Sequence, residues 1–147
     1  LFLTDFNCIF VSILFYGNKM TIELKYFTPA DARRTLPLVK NIVRDILHAT
    51  REMRLIAEEV NNGIEDDIRI KKLANDVNGF LSELEEIGCY YKDTKFQIGL
   101  VDFPAMINGE EVYLCWRSDE EDVLYYHEMD AGYLGRKLIP PQYFDEN

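Results

Sequence analysis

The densest group of chemically capable side chains in this sequence is the run His127-Glu128-Met129-Asp130-Ala131-Gly132-Tyr133-Leu134-Gly135-Arg136. An imidazole and two nearby carboxylates are hard or borderline ligands, so His127, Glu128 and Asp130 form one candidate metal set. The run lacks the second histidine of a HExxH zinc helix. Gly132 and Gly135, followed by Arg136, suit a tight loop whose amide groups converge on an anion. Asp130, Gly132, Gly135 and Arg136 are therefore candidate ligand-binding residues. Each also has a plainer reading, with the glycines permitting positive φ and Arg136 pairing with Asp130 or Asp102.

A second group comes from the preceding segment. Leu100 to Ile107 and Glu110 to Arg117 flank Asn108-Gly109, the strongest short hairpin signal a sequence can carry. With those two residues as the loop, Asp102 opposes Cys115 and Phe103 opposes Leu114. One face then shows Val101, Phe103, Ala105, Val112, Leu114 and Trp116, and covers the core. The other shows Asp102, Met106, Tyr113, Cys115 and Arg117. Ser118 to Asp122 form an acidic turn, and Val123 to Glu128 a third strand. If Val123 opposes Arg117, then Tyr125 faces Cys115 and His127 faces Tyr113.

His127 thus joins Asp102 on the polar face, an acid–base pair with catalytic potential. Arg117, Arg136 and Tyr113 would hold a ligand beside it, and a diagonal Asp102–Arg117 ion pair is expected. The structural polar network ranks first among the readings, an anion or small-molecule site second and a metal site third. If His127 serves a functional site, His127→Ala is expected to leave the fold intact and to change stability by less than ~1 kcal/mol, the range of ordinary surface substitutions.

The elements that carry this sheet are helical. Thr28-Pro29-Ala30-Asp31 is a helix start, with a capping hydroxyl, a proline at the first position and an acid at the positive dipole end. Pro37 predicts a kink, or a short helix ending near Leu36. Val39, Ile42, Ile46, Ala49, Met53, Ile56 and Val60 then step by three and four along one helix face. Asn61-Asn62-Gly63 ends that helix, with Gly63 as a left-handed cap. Ile70, Leu73, Val77, Phe80, Leu84 and Ile87 form a second seam, capped by Asp66 or Asp67 and stopped by Gly88. His48 falls opposite the first seam and is read as solvated. The fold expected is α+β: a long antiparallel helical hairpin on a small three-stranded antiparallel β-meander.

The chain has 147 residues, with 16 Lys plus Arg against 26 Asp plus Glu and a formal net charge of -10. Such acidity argues against binding nucleic acid, which needs a basic face. The acidity concentrates in residues 89–147, where five basic residues meet twelve acidic ones. Three cysteines without metal-ligand spacing, Cys8, Cys89 and Cys115, argue for reduced thiols and a cytoplasmic location. Leu1 to Tyr16 is apolar but broken by Asp5 and Asn7, too short to span a bilayer and without a signal-peptide n-region. Residues 1–19 are read as a spurious or disordered extension, and residues 20–147 as one domain. No phosphate-cradling GxxxxGK, nucleophile elbow or Rossmann fingerprint occurs.

Several motifs in order resemble domain of unknown function 2203: Phe27-Thr28-Pro29-Ala30-Asp31-Ala32, Glu85-Glu86-Ile87-Gly88, Gly99 to Pro104, Tyr113 to Arg117, and His127-Glu128-x-Asp130-x-Gly132-x-x-Gly135-Arg136. The likeness covers residues 26–140. Some members carry a label resembling the cell-division protein DivIVA, which heptad-rich helices account for. The resemblance implies little about activity and names no particular cofactor. Two functions follow from the residues. The first is a binding or interaction module, self-associating through its helices and taking a small ligand on the sheet. The second is an enzyme using His127 as acid or base.

Overall fold

The computed structural model describes residues 25–145; residues 1–19, read from sequence as a spurious or disordered extension, lie outside them. Helix α1 runs from Pro29 to Glu59 and helix α2 from Ile68 to Ile87. Thr28 caps α1 through a reciprocal pair, its hydroxyl accepting from the Asp31 amide while the Asp31 carboxylate accepts from the Thr28 amide. Asp67 caps α2 by accepting from the Arg69 amide. Gly88, at φ 103°, ends it in the left-handed conformation that glycine tolerates.

Pro37 does not end α1, so of the two alternatives expected there the short helix closing near Leu36 is not the one that forms. It lies on the exposed side of the helix, away from the apolar seam that α1 buries. The C-terminus of α1 also differs. The helix closes at Val60, and Gly63 takes its left-handed conformation (φ 74°) at the start of a 3-10 turn over Ile64–Asp66.

The centres of both heptad seams are buried, while Ile56, Val60, Leu73, Phe80 and Ile87 are half-buried. Val39, Ile46, Met53, Ile70, Val77 and Leu84 are each at most 1% exposed. His48 is exposed. Among the described residues no helix is long and apolar enough to cross a membrane.

The sheet has five antiparallel strands rather than three. They are β1 (Tyr90–Tyr91), β2 (Leu100–Ile107), β3 (Glu110–Arg117), β4 (Tyr125–Glu128) and β5 (Lys137–Leu138), ordered as in the chain. The two extra strands have two residues each, too short to show the alternation by which a strand is read. The hairpin register is the expected one: Ile107 opposes Glu110, Phe103 opposes Leu114 and Asp102 opposes Cys115. On the other side of β3, Cys115 opposes Tyr125 and Tyr113 opposes His127, although β4 begins at Tyr125 and not at Val123.

Pro104 sits inside β2 without costing a bond to β3. Its carbonyl accepts from the Phe27 amide at 2.7 Å, so its backbone groups face away from the hairpin partner. The Phe27 ring then meets Phe103 edge-on at 5.2 Å, tying the start of α1 to the core face of the sheet. Val101, Phe103, Ala105, Val112, Leu114 and Trp116 all point into that core.

Candidate functional site

The face of the sheet opposite the helices is not a solvated surface. Residues 129–136 fold back over it, and Met129, Gly132 and Tyr133 line a cavity of about 280 Å³ whose other walls include Lys92, Tyr113 and His127. Asp102, Cys115 and His127 are consequently 4%, 1% and 3% exposed. The loop that sequence reading treated only as a ligand contact is also the cover of the site.

Three strands deliver those three side chains. Asp102 comes from β2, Cys115 from β3 and His127 from β4. His127 Nε2 lies 3.1 Å from Asp102 Oδ2, and His127 Nδ1 lies 2.8 Å from the Glu128 carbonyl oxygen. A carbonyl can only accept, so Nδ1 carries a hydrogen. Nε2 and the Asp102 carboxylate then need a positive species between them, since two lone pairs at that distance repel. In the protein alone that species is a proton. The carboxylate holds the imidazole in its charged form and raises its pKa above the ordinary 6.5, against the opposing effect of burial.

Cys115 sits between the two partners. Burial first, then the Asp102 charge, pushes its thiol up to about 12, with Arg136 acting the other way. Tyr113 tilts against the His127 ring at 5.6 Å, and burial with the Asp102 charge raises its phenol as well. Lys92 stands above the Tyr113 ring at 5.3 Å.

The two arginines are placed differently from expectation. Arg117 does not pair with Asp102. It binds Asp119, at 2.8 Å through Nη2, and donates to the Tyr133 hydroxyl. Its own turn offers a carboxylate two residues away, whereas Asp102 is engaged by His127. Arg136 pairs with Glu120 at 2.8 Å and lies between the Tyr125 and Tyr133 rings, at 4.3 and 4.4 Å. Glu120 also accepts from the Arg117 amide at 2.9 Å. Three elements thus meet the carboxylates of the acidic turn, with Arg136 on Glu120, Arg117 on Asp119 and Arg33 on Asp122, while Arg117 and Arg136 both contact Tyr133.

Glu128 and Asp130 do not converge with His127. Successive strand residues point to opposite faces, so Glu128 turns away and pairs with Lys137 at 2.8 Å. Asp130 is exposed. Among the described residues, the metal-capable groups that do converge are Asp102, Cys115 and His127, whose ligating atoms lie within 4.8 Å of one another. Cys115 is the member that sequence reading placed on the polar face without assigning it a role. Its register opposite Asp102 was the available signal. Gly132, at φ 62°, lines the cavity, and Gly135 closes the 3-10 turn that presents Tyr133.

No curated protein and no solved structure matches the chain. Residues 25–139 match the family described as "Uncharacterized conserved protein (DUF2203)". That match spans most of the sequence, and the chain belongs to the DUF2203 family.

Proposed function

We propose that this protein is a small-ligand-binding module whose site is the cavity between the sheet and residues 129–136. The observation that carries this reading is the buried Asp102–His127 pair among the groups lining that cavity. Buried charge is costly unless paired, and a polar cluster that also opens to a cavity is the usual signature of a binding site. The volume, about 280 Å³, is near the lower end for ligand pockets, which favours a ligand of few atoms. Lys92 would meet an anionic group at the rim, and His127 or Tyr113 a polar group at the floor. Arg117 and Arg136 act indirectly in this reading, since carboxylates already engage them and their work is to hold Tyr133.

Thermal melts of the full chain against small carboxylates, phosphate, nucleotides and metal ions test it, because a ligand bound only by the folded state raises the melting temperature. Met129, 47% exposed at the cavity wall, provides the control. Met129→Trp should leave the fold intact, fill the entrance and remove the shift. An organic or anionic ligand whose shift survives in that variant binds elsewhere, and no shift with any compound contradicts the reading.

A second reading, acid–base catalysis by His127, is favoured by the same pair. A carboxylate that orients an imidazole and supports its charged form is a recurrent device for proton transfer. It would show as ligand binding that persists in His127→Gln while turnover is lost.

A further inference from the structure

We propose that Asp102, Cys115 and His127 bind a divalent transition-metal ion of the zinc type, with its fourth position open to the cavity. This rests on the reading of that cavity as the ligand site, and it names the ligand class that the three buried groups select.

The first support is convergence. An imidazole nitrogen, a thiol sulfur and a carboxylate oxygen lie within 4.8 Å of one another, each from a different strand and each buried. Zinc bonds of about 2.0–2.3 Å place tetrahedral ligand atoms roughly 3.3–3.8 Å apart, so small side-chain movements suffice. The strands themselves need not move.

The second support is the imidazole's orientation. His127 Nδ1 donates to the Glu128 carbonyl at 2.8 Å, which directs Nε2 at Asp102 and Cys115. A backbone carbonyl on the far nitrogen is the outer contact that fixes the tautomer of metal-binding histidines. The gap between Nε2 and Oδ2 requires a cation, and a metal ion can take the place of the proton there.

The third is charge. One carboxylate and one thiolate neutralise a divalent ion, leaving the buried cluster without net charge. Arg136 beside Cys115 does not oppose this, because Glu120 binds its guanidinium at 2.8 Å. Nitrogen and sulfur ligands select zinc, cobalt(II) or iron(II) over magnesium and calcium, which require oxygen. Binding displaces two protons, one from the thiol and one from the His127–Asp102 pair. With three protein ligands, the remaining position faces Lys92, Tyr113 and Met129, where water or a small ligand would complete the coordination.

The test uses chelator-treated full-length protein titrated with cobalt(II), whose thiolate bond gives a near-ultraviolet charge-transfer band. The expected result is one equivalent bound, with the band present, and release of two protons per zinc ion in a parallel titration. The band should disappear in Cys115→Ala and persist in Cys8→Ala and Cys89→Ala. If Cys115→Ala fails to fold, the Cys8→Ala/Cys89→Ala double variant retains only Cys115 as a sulfur donor, and its band decides. X-ray absorption of the zinc form should show one sulfur neighbour at about 2.3 Å with lighter atoms near 2.0–2.2 Å. Absence of the band in the wild type, its survival in folded Cys115→Ala, or a zinc shell without sulfur overturns the proposal. Melting shifts with organic ligands in chelator, abolished by Met129→Trp, would then leave the cavity reading standing. Their absence as well would remove both.

Discussion

His127 Nε2 lies 3.1 Å from Asp102 Oδ2 although strand β3 runs between the strands that carry them. Asp102 shares a row with Cys115 and Tyr125, and His127 shares the next row with Tyr113 and Pro104. The pair therefore closes a diagonal over β3, above the small side chain of Cys115. A larger residue at 115 would hold the partners apart. Asp102→Ala leaves a buried imidazole with one unsatisfied nitrogen, and we predict a loss of about 1–3 kcal/mol in urea unfolding. A change below ~0.5 kcal/mol would mean that the two groups do not meet.

The helical seam predicts a larger effect. Ile46 and Val77 are both fully buried, so an aspartate at either position places an unpaired charge in the core. That costs several kcal/mol against a total of about 5–15 for a domain. Ile46→Asp and Val77→Asp should each abolish the cooperative melt followed by circular dichroism.

Gly99 is constrained by backbone and by space together. Its φ is +86°, and an added Cβ would lie 2.7 Å from Val43 Cγ1. Gly99→Ala should cost at least about 1–2 kcal/mol for the left-handed conformation alone. Adding Val43→Ala removes the contact but not the backbone strain. The double variant should therefore lose less than the sum of the two single losses, in a cycle of denaturation measurements. Strict additivity would show that helix and strand do not press together there.

Asp93 organises the loop before β2 by accepting from the amides of Gln97, Ile98 and Gly99 at 2.6, 3.0 and 3.2 Å. Burial alone would raise its pKa. The backbone hydrogen bonds outweigh that and hold it below the ordinary 3.8. A carboxylate lowered in the folded state stabilises above its unfolded pKa and loses that contribution as pH falls through the folded value. Asp93→Asn should thus be less stable than wild type at pH 6, with the difference shrinking below about pH 4. A difference that stays constant from pH 6 to pH 2 would contradict the assignment.

The parts of this fold that could be read from sequence are those with a local cause. Asn108-Gly109 dictates the β2–β3 register, and the three-four spacing dictates both seams. Pro37 misled as a stop signal because it lies on the exposed face of α1 while the buried seam of that helix runs on past it. Arg117 misled because a diagonal partner across the sheet competes with Asp119 in its own turn. The burial of His127 was not legible at all. It depends on residues 129–136 returning over the sheet, a placement anchored by Arg136 on Glu120 and by Tyr133 on Arg117, each pair sixteen residues apart in sequence. His127 is 3% exposed and bonded to Asp102, so His127→Ala removes a satisfied buried group, whereas the expected loss below ~1 kcal/mol belongs to a surface position.

The hydrogen on His127 Nδ1 links the fold to the proposed chemistry, since it directs Nε2 toward Asp102 and Cys115. Long-range 1H–15N NMR of the chelator-treated protein at neutral pH reports it directly. The expected result is a protonated Nδ1, bonded to the Glu128 carbonyl, with Nε2 directed at the Asp102 carboxylate. A neutral ring protonated on Nε2 alone, with a bare Nδ1, would contradict it.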